Sequence, residues 1–118
     1  MGEITTVAGC GAFGSWGDGW HAPSAALAGP AGIAVVPQGK DGKQATVYIA
    51  DYYNGRVRVL SPDGTISSLL ANREHAFGAP TRVAWSPRGW LYVADALRGR
   101  VTAVRASRLT TTTTRKTS

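Results

Sequence analysis

The chain repeats itself, and this constrains its fold more than any other property. "GPAGIAVVPQGKDGKQATVYIADYYNGRVRVL" (29–60) aligns with "GAPTRVAWSPRGWLYVADALRGRVTAV" (78–104). Pro30 falls on Pro80, Ile33 on Val83, Tyr48-Ile49-Ala50-Asp51 on Tyr92-Val93-Ala94-Asp95, and Gly55-Arg56-Val57 on Gly99-Arg100-Val101. From Asp51 to Asp95 the period is 44 residues. A second match joins "GEITTVAG" (2–9) to "GTISSLLA" (64–71). A repeat of this length is one supersecondary unit, and it buries its apolar faces only against neighbours.

Each unit reads as short strands joined by tight turns. Residues 33–36 and 46–50 are β-rich, and Asn54-Gly55 between "VYIADY" and "RVRVL" predicts a hairpin, because both central residues tolerate positive φ. Arg56, Arg58 and Leu60 alternate with Val57 and Val59, which predicts a strand with one polar and one apolar face. Pro62-Asp63-Gly64 then turns the chain into "TISSLL". Four antiparallel strands per unit are the size of a propeller blade. With 15 glycines and 6 prolines in 118 residues, turns are too frequent for a helical protein. No apolar run approaches the ~20 residues of a membrane span. No basic-then-apolar leader follows Met1, which favours a cytoplasmic location. Cys10 is the single cysteine, so no internal disulfide forms, and an inert thiol is expected.

The pattern carried by Ile4 to Gly9, Gly17 to Gly19, Ala26-Leu27, Pro30 to Val35, Val47 to Asp51, Asn54, Arg56 to Leu60 and Asp63 to Ala71 resembles NHL-repeat β-propellers. The second unit matches from Pro80 to Val104. The resemblance implies an all-β fold of antiparallel four-stranded blades around a central channel. On that expectation residues 1–106 are a propeller segment: 2–8 the last strand of a preceding blade, 9–29 an inter-blade loop, 30–71 blade one and 78–106 blade two. Two departures stand out. Arg98 replaces the asparagine that Asn54 supplies in the first blade, and "RLTTTTTRKTS" stands where "DGTISSLL" is expected. Residues 107–118 are thus a Thr-rich basic tail; its threonines either pair as a strand or fray. Closed propellers have about four to eight blades, so the expected segment is incomplete unless self-association or a partner closes it.

Gly9, Gly11 and Gly14 are spaced as GxGxxG, but no helical period follows them and no acid stands about 20 residues on, as a dinucleotide site requires. They suit a connection between blades. "WGDGWH" brings Trp16, Asp18, Trp20 and His21 together as candidate partner-binding residues; loops carry function, and Trp is favoured at interfaces. The plainer alternative has Asp18 capping a tight turn and the tryptophans covering a blade edge. Asp18 and His21 alone do not make a metal site. No catalytic set, metal or cofactor is expected. Asp51 and Asp95 recur as structural positions where a carboxylate at a strand end accepts backbone N–H groups, with the recurring Arg56 and Arg100 as ionic partners. His75, beside Glu74, is expected to be exposed.

The net charge of +6 is unevenly spread. Residues 1–72 hold Lys40, Lys43, Arg56 and Arg58 against Glu3, Asp18, Asp41, Asp51 and Asp63; residues 73–118 hold nine basic groups against Glu74 and Asp95. Such a half attracts nucleic acid, anionic lipid or an acidic partner. Arg82, Arg88, Arg98, Arg100, Arg105 and Arg108 interleave with Trp85, Trp90 and Tyr92, a pattern suited to single-stranded bases. The primary expectation is a non-enzymatic binding scaffold recognising a protein or other partner through its inter-blade loops. The alternatives are a fragment of a propeller enzyme (lactonase-like hydrolase or amidating-lyase-like) and an RNA-binding propeller surface.

Overall fold

The β-rich runs form seven strands in two antiparallel sheets in a computed structural model, which describes residues 2–41, 44–73 and 75–105. Lys43, Glu74, Arg108 and the tail 107–118 lie outside the described residues. The first sheet runs β1 (Pro30–Gln38), β2 (Gln44–Asp51), β3 (Arg56–Leu60) and β4 (Ile66–Ser68), each strand beside the next in sequence. The second runs β5 (Pro80–Ser86), β6 (Trp90–Asp95) and β7 (Arg100–Arg105). No α-helix occurs among the described residues, only single 3-10 turns at Ala22–Ser24 and Tyr52–Asn54. None of these is long and apolar enough to cross a membrane.

The repeat is a repeat of register. Ile33 faces Ile49 and Ile49 faces Arg58 in the first sheet; Val83 faces Val93 and Val93 faces Thr102 in the second. Even the irregularity recurs, as a register shift between Pro30 and Gly32 and again between Pro80 and Arg82. Proline lacks the N–H a ladder needs, so both strands begin on a bulge.

Strand alternation gives each sheet two faces, and the core lies between them. Ala34, Val36, Tyr48, Ala50 and Val57 of the first sheet meet Val83, Leu91, Val93 and Val104 of the second, with Phe77 filling the gap. Tyr48 stacks on Trp85 at 6.3 Å between ring centroids, and burial pushes its phenol pKa up. The sheets approach closest at their first strands. A Cβ on Gly32 would lie 2.9 Å from the Thr81 carbonyl oxygen and 3.1 Å from the Arg82 Cα, so β1 has no room there for a side chain.

The other face of the first sheet leaves Ile33 and Val35 of β1 exposed, but over β3 and β4 it is covered by residues 9–29. Those residues fold back on themselves: Gly9, Cys10 and Gly14 donate backbone N–H groups to the carbonyls of Ala22, Ala25 and Leu27. Ala22 and Ala25 then pack on Ile66, beside Leu27 and Leu60. The polar face expected of β3 is therefore no solvent face, because Arg58 is fully buried beneath this loop while Arg56 is exposed. One further expectation changes. Residues 2–8 form no strand, for no neighbouring ladder reaches them. The hairpin expected at Asn54-Gly55 does join β2 to β3, through a 3-10 turn in which Gly55 alone takes positive φ, +62°.

Candidate functional site

The loop over the first sheet is held by one ionic cluster. Arg58 extends from β3 and donates from Nε and Nη2 to Asp18 Oδ1, at 3.1 and 2.8 Å. Its Nη1 donates to the Ala26 carbonyl at 2.8 Å and to Asp51 Oδ2 at 3.1 Å. Asp51, at the end of β2, also accepts the Ala28 N–H and the Asn54 side-chain amide, both at 2.7 Å. The same Asn54 amide reaches the Gly14 carbonyl. Arg58 and Asp51 have no exposed side-chain surface, whereas Asp18 keeps a third of its own. A buried ion pair persists only when its remaining hydrogen-bonding groups are satisfied, and loop carbonyls and N–H groups satisfy these.

The ionic partner expected for Asp51 was Arg56, but the pair is made by Arg58. Although Arg56 lies opposite Asp51 in the ladder, its guanidinium turns outward and stands 3.8 Å from Asp18. Asp95 has no buried arginine. It accepts the N–H groups of Gly78 at 2.8 Å, Ala79 at 2.9 Å and Arg98 at 3.4 Å. Burial alone would raise its pKa. The N–H groups of Ala79, Gly78 and Arg98, with the Arg98 charge, outweigh that and hold the carboxyl below its usual value. Arg100 stands exposed at the start of β7.

Asp18 also lines an open cleft of about 600 Å³ where the loop 9–29 and the described residues between the two sheets meet the turn after β2. Arg56, Arg73, His75, Leu97 and Arg98 line it too. Among the described residues three arginines and a single carboxylate line the cleft, and that carboxylate is already bound by Arg58 and by the Ser68 hydroxyl at 2.6 Å. Two of its walls are strained: Leu70 and His75 hold φ of +56° and +60°, where side chains crowd their own backbone. Such positions cost about 1–3 kcal/mol and gather at functional sites.

Of the four residues expected to act together, only Asp18 lines this cleft. Trp16 lies over Gly14, where an added Cβ would run into its ring. Trp20 and His21 run beside β4: the Trp20 carbonyl accepts the Ile66 N–H, Gly19 donates its N–H to the Ile66 carbonyl, and His21 bridges to Thr65. Both tryptophans remain half-exposed. Gly9 and Gly11 hold positive φ within the loop while Gly14 does not. Cys10 is an exposed free thiol. The arginines and aromatics of the basic half also separate, since Trp85 turns into the core whereas Trp90 and Tyr92 share the outer face of the second sheet with Arg82 and Arg105. Arg105 lies 5.0 Å from the Trp90 ring centroid, a cation–π contact.

Sequence reasoning passed over Arg58, Arg73 and the strained loop between the sheets. Only one signal pointed to Arg58: an arginine among β-branched residues in a strand whose opposite face was already apolar.

No family model matches the sequence, and a search of curated proteins found no match. Solved structures do match in three dimensions. One is the crystal structure of a candidate phosphatase from Bacteroides thetaiotaomicron, a larger propeller-like chain, with a TM-score of 0.66 and 20% identity over 82% of this chain. The chain spans a quarter of that structure's length. The all-β architecture therefore resembles part of a larger propeller-like chain.

Proposed function

We propose that the chain is an NHL-type propeller segment acting as a non-enzymatic binding scaffold, which recognises an acidic segment of a protein partner at the cleft between its inter-blade loops. One observation carries this reading: both loops converge on a cleft whose arginines outnumber its carboxylates three to one among the described residues, with Asp18 already bound by Arg58. Arg56 and Arg98 present planar donor pairs suited to carboxylates, and Leu97 adds an exposed apolar contact beside them. The strained Leu70 and His75 support the reading, because strain of this kind persists where the surroundings fix a loop for a purpose.

Titration of a fluorescein-labelled oligoglutamate peptide, followed by anisotropy at low and moderate salt, tests it. The expected result is salt-sensitive binding, weakened about tenfold in the double variant Arg56→Ala/Arg98→Ala. Equal binding by wild type and the double variant, or binding of a neutral peptide of the same length as tightly, would overturn it.

A further inference from the structure

Each sheet buries one face inside the chain and turns the other outward, and the two outward faces are not alike. Toward the second sheet, the first presents Ala34, Tyr48, Ala50 and Val57. The residues at the same register positions of the second sheet are Ala84, Tyr92, Ala94 and Val101, and they point away from the core. The reverse holds as well. Val83, Trp85, Leu91 and Val93 pack inward from the second sheet. Their equivalents in the first sheet, Ile33, Val35, Val47 and Ile49, belong to its outward face. The chain's two outer surfaces are thus the two halves of the interface already formed at its centre.

We propose that a second copy of the chain docks head to tail, its first sheet's outward face against the second sheet's outward face, repeating the internal contact between sheets. Apolar side chains left open at these faces mark the contact: Ile33 and Val35 are 63% and 55% exposed, and Tyr92 and Val101 are 42% and 68% exposed. Exposed apolar patches of this kind mark interaction surfaces. By register, Tyr92 of one copy takes the place of Tyr48, and Val35 of the next takes the place of Trp85, its stacking partner. At the place Gly32 holds in the internal contact the docking sheet carries Arg82, so the two copies stand further apart there than the two sheets do inside the chain. Loop 9–29 does not obstruct this contact. It covers Leu60 and Ile66 at the far side of the first sheet, as Phe77, Leu69 and Leu70 do in the internal interface, and leaves β1 open. Charge favours the same pairing. The second sheet's outward face carries Arg82 and Arg105, and it meets a sheet from residues 1–72, which hold four basic and five acidic groups.

The contact is heterologous: each copy uses two different faces. Sedimentation equilibrium over a range of concentrations tests it on the 118-residue chain. Wild type is expected to associate. Val35→Glu and Tyr92→Glu, each disabling one face, are each expected to associate about 100-fold more weakly. An equimolar mixture of the two variants then restores a 1:1 dimer through the one intact pair of faces. A wild type monomeric at every concentration overturns the proposal, as does a mixture that stays monomeric, or one variant alone that associates like wild type through a self-paired face. Retention of single-stranded RNA by a monomeric wild type, lost in Tyr92→Glu, assigns the face to nucleic acid and equally overturns it. Far-UV circular dichroism checks folding; where Val35→Glu loses its sheet signal, the exposed Ile33→Lys takes its place.

Discussion

Asp51 and Asp95 end equivalent strands and face opposite solutions to the same problem. Each strand must stop, and the chain entering the next sheet must be fastened to that stop. At Asp95 the fastening is made of backbone: three N–H groups converge on the carboxylate, and the preceding loop is short enough to seal the gap with the Phe77 ring. At Asp51 the preceding loop is longer and brings a second carboxylate, Asp18, over the sheet. That lets an arginine be buried where the second sheet has Thr102. One frame thus accommodates either an ionic clamp or an apolar plug, and the length of the incoming loop selects between them.

The sharpest way to break the comparison is to remove the arginine. Arg58→Ala leaves Asp51 buried with no cation and releases Asp18 and the Ala26 carbonyl. Breaking a buried pair on one side costs about 3–5 kcal/mol, a large part of the ~5–15 kcal/mol that holds a domain folded. Thr102→Ala, at the matching place, is expected to cost about 1 kcal/mol or less. Urea midpoints at constant slope read both values. Equal losses would mean that Arg58 is ornamental to the loop.

Asp95→Asn probes the other solution. The neutral amide keeps one acceptor oxygen for N–H groups that now share two, so the expected loss is about 1–3 kcal/mol. Its pH dependence follows from the lowered pKa. Between the folded and unfolded pKa values the unfolded state binds the proton, so the carboxylate's contribution is fully present above about pH 4 and is lost as pH falls through the folded value. The gap between wild type and Asp95→Asn is therefore expected to narrow from neutral to acid pH. A gap that stays constant across that range would show that the N–H groups discriminate nothing between carboxylate and amide.

How much of this was legible in the sequence differs between the local and the distant. The expected runs 33–36, 46–50 and 56–60 all lie inside β1, β2 and β3, because alternation and turn residues act over a few positions. The repeat made Asp51 and Asp95 stand out, since a residue that returns with the fold serves the fold. It said nothing of which arginine meets Asp51. Arg56 and Arg58 look alike on an alternating strand, and the choice is made by Asp18, 40 residues away, in a loop with no period of its own. The same loop hid the burial of β3's second face. The "WGDGWH" stretch misled in a related way: residues adjacent in sequence diverge when two turns separate them, so Asp18 enters the cleft while Trp20 and His21 run along β4.

The finest probe of the comparison is a pair of glycines. Gly55 and Gly99 close equivalent turns at φ +62° and +61°. Alanine at either pays the left-handed penalty of about 1–2 kcal/mol. Only Gly55 touches the neighbouring sheet's entry: a Cβ there would stand 3.0 Å from the Gly78 carbonyl oxygen and 3.4 Å from that of Phe77, whereas nothing lies within 4 Å at Gly99. Gly78 is also the residue whose N–H Asp95 holds, so its carbonyl is not free to retreat. Gly55→Ala is expected to lose roughly 1 kcal/mol more than Gly99→Ala through this crowding, measured by paired urea melts. Should the two lose alike, the junction between the sheets yields where the structure draws it rigid, and the fastening at Asp95 is weaker than that at Asp51.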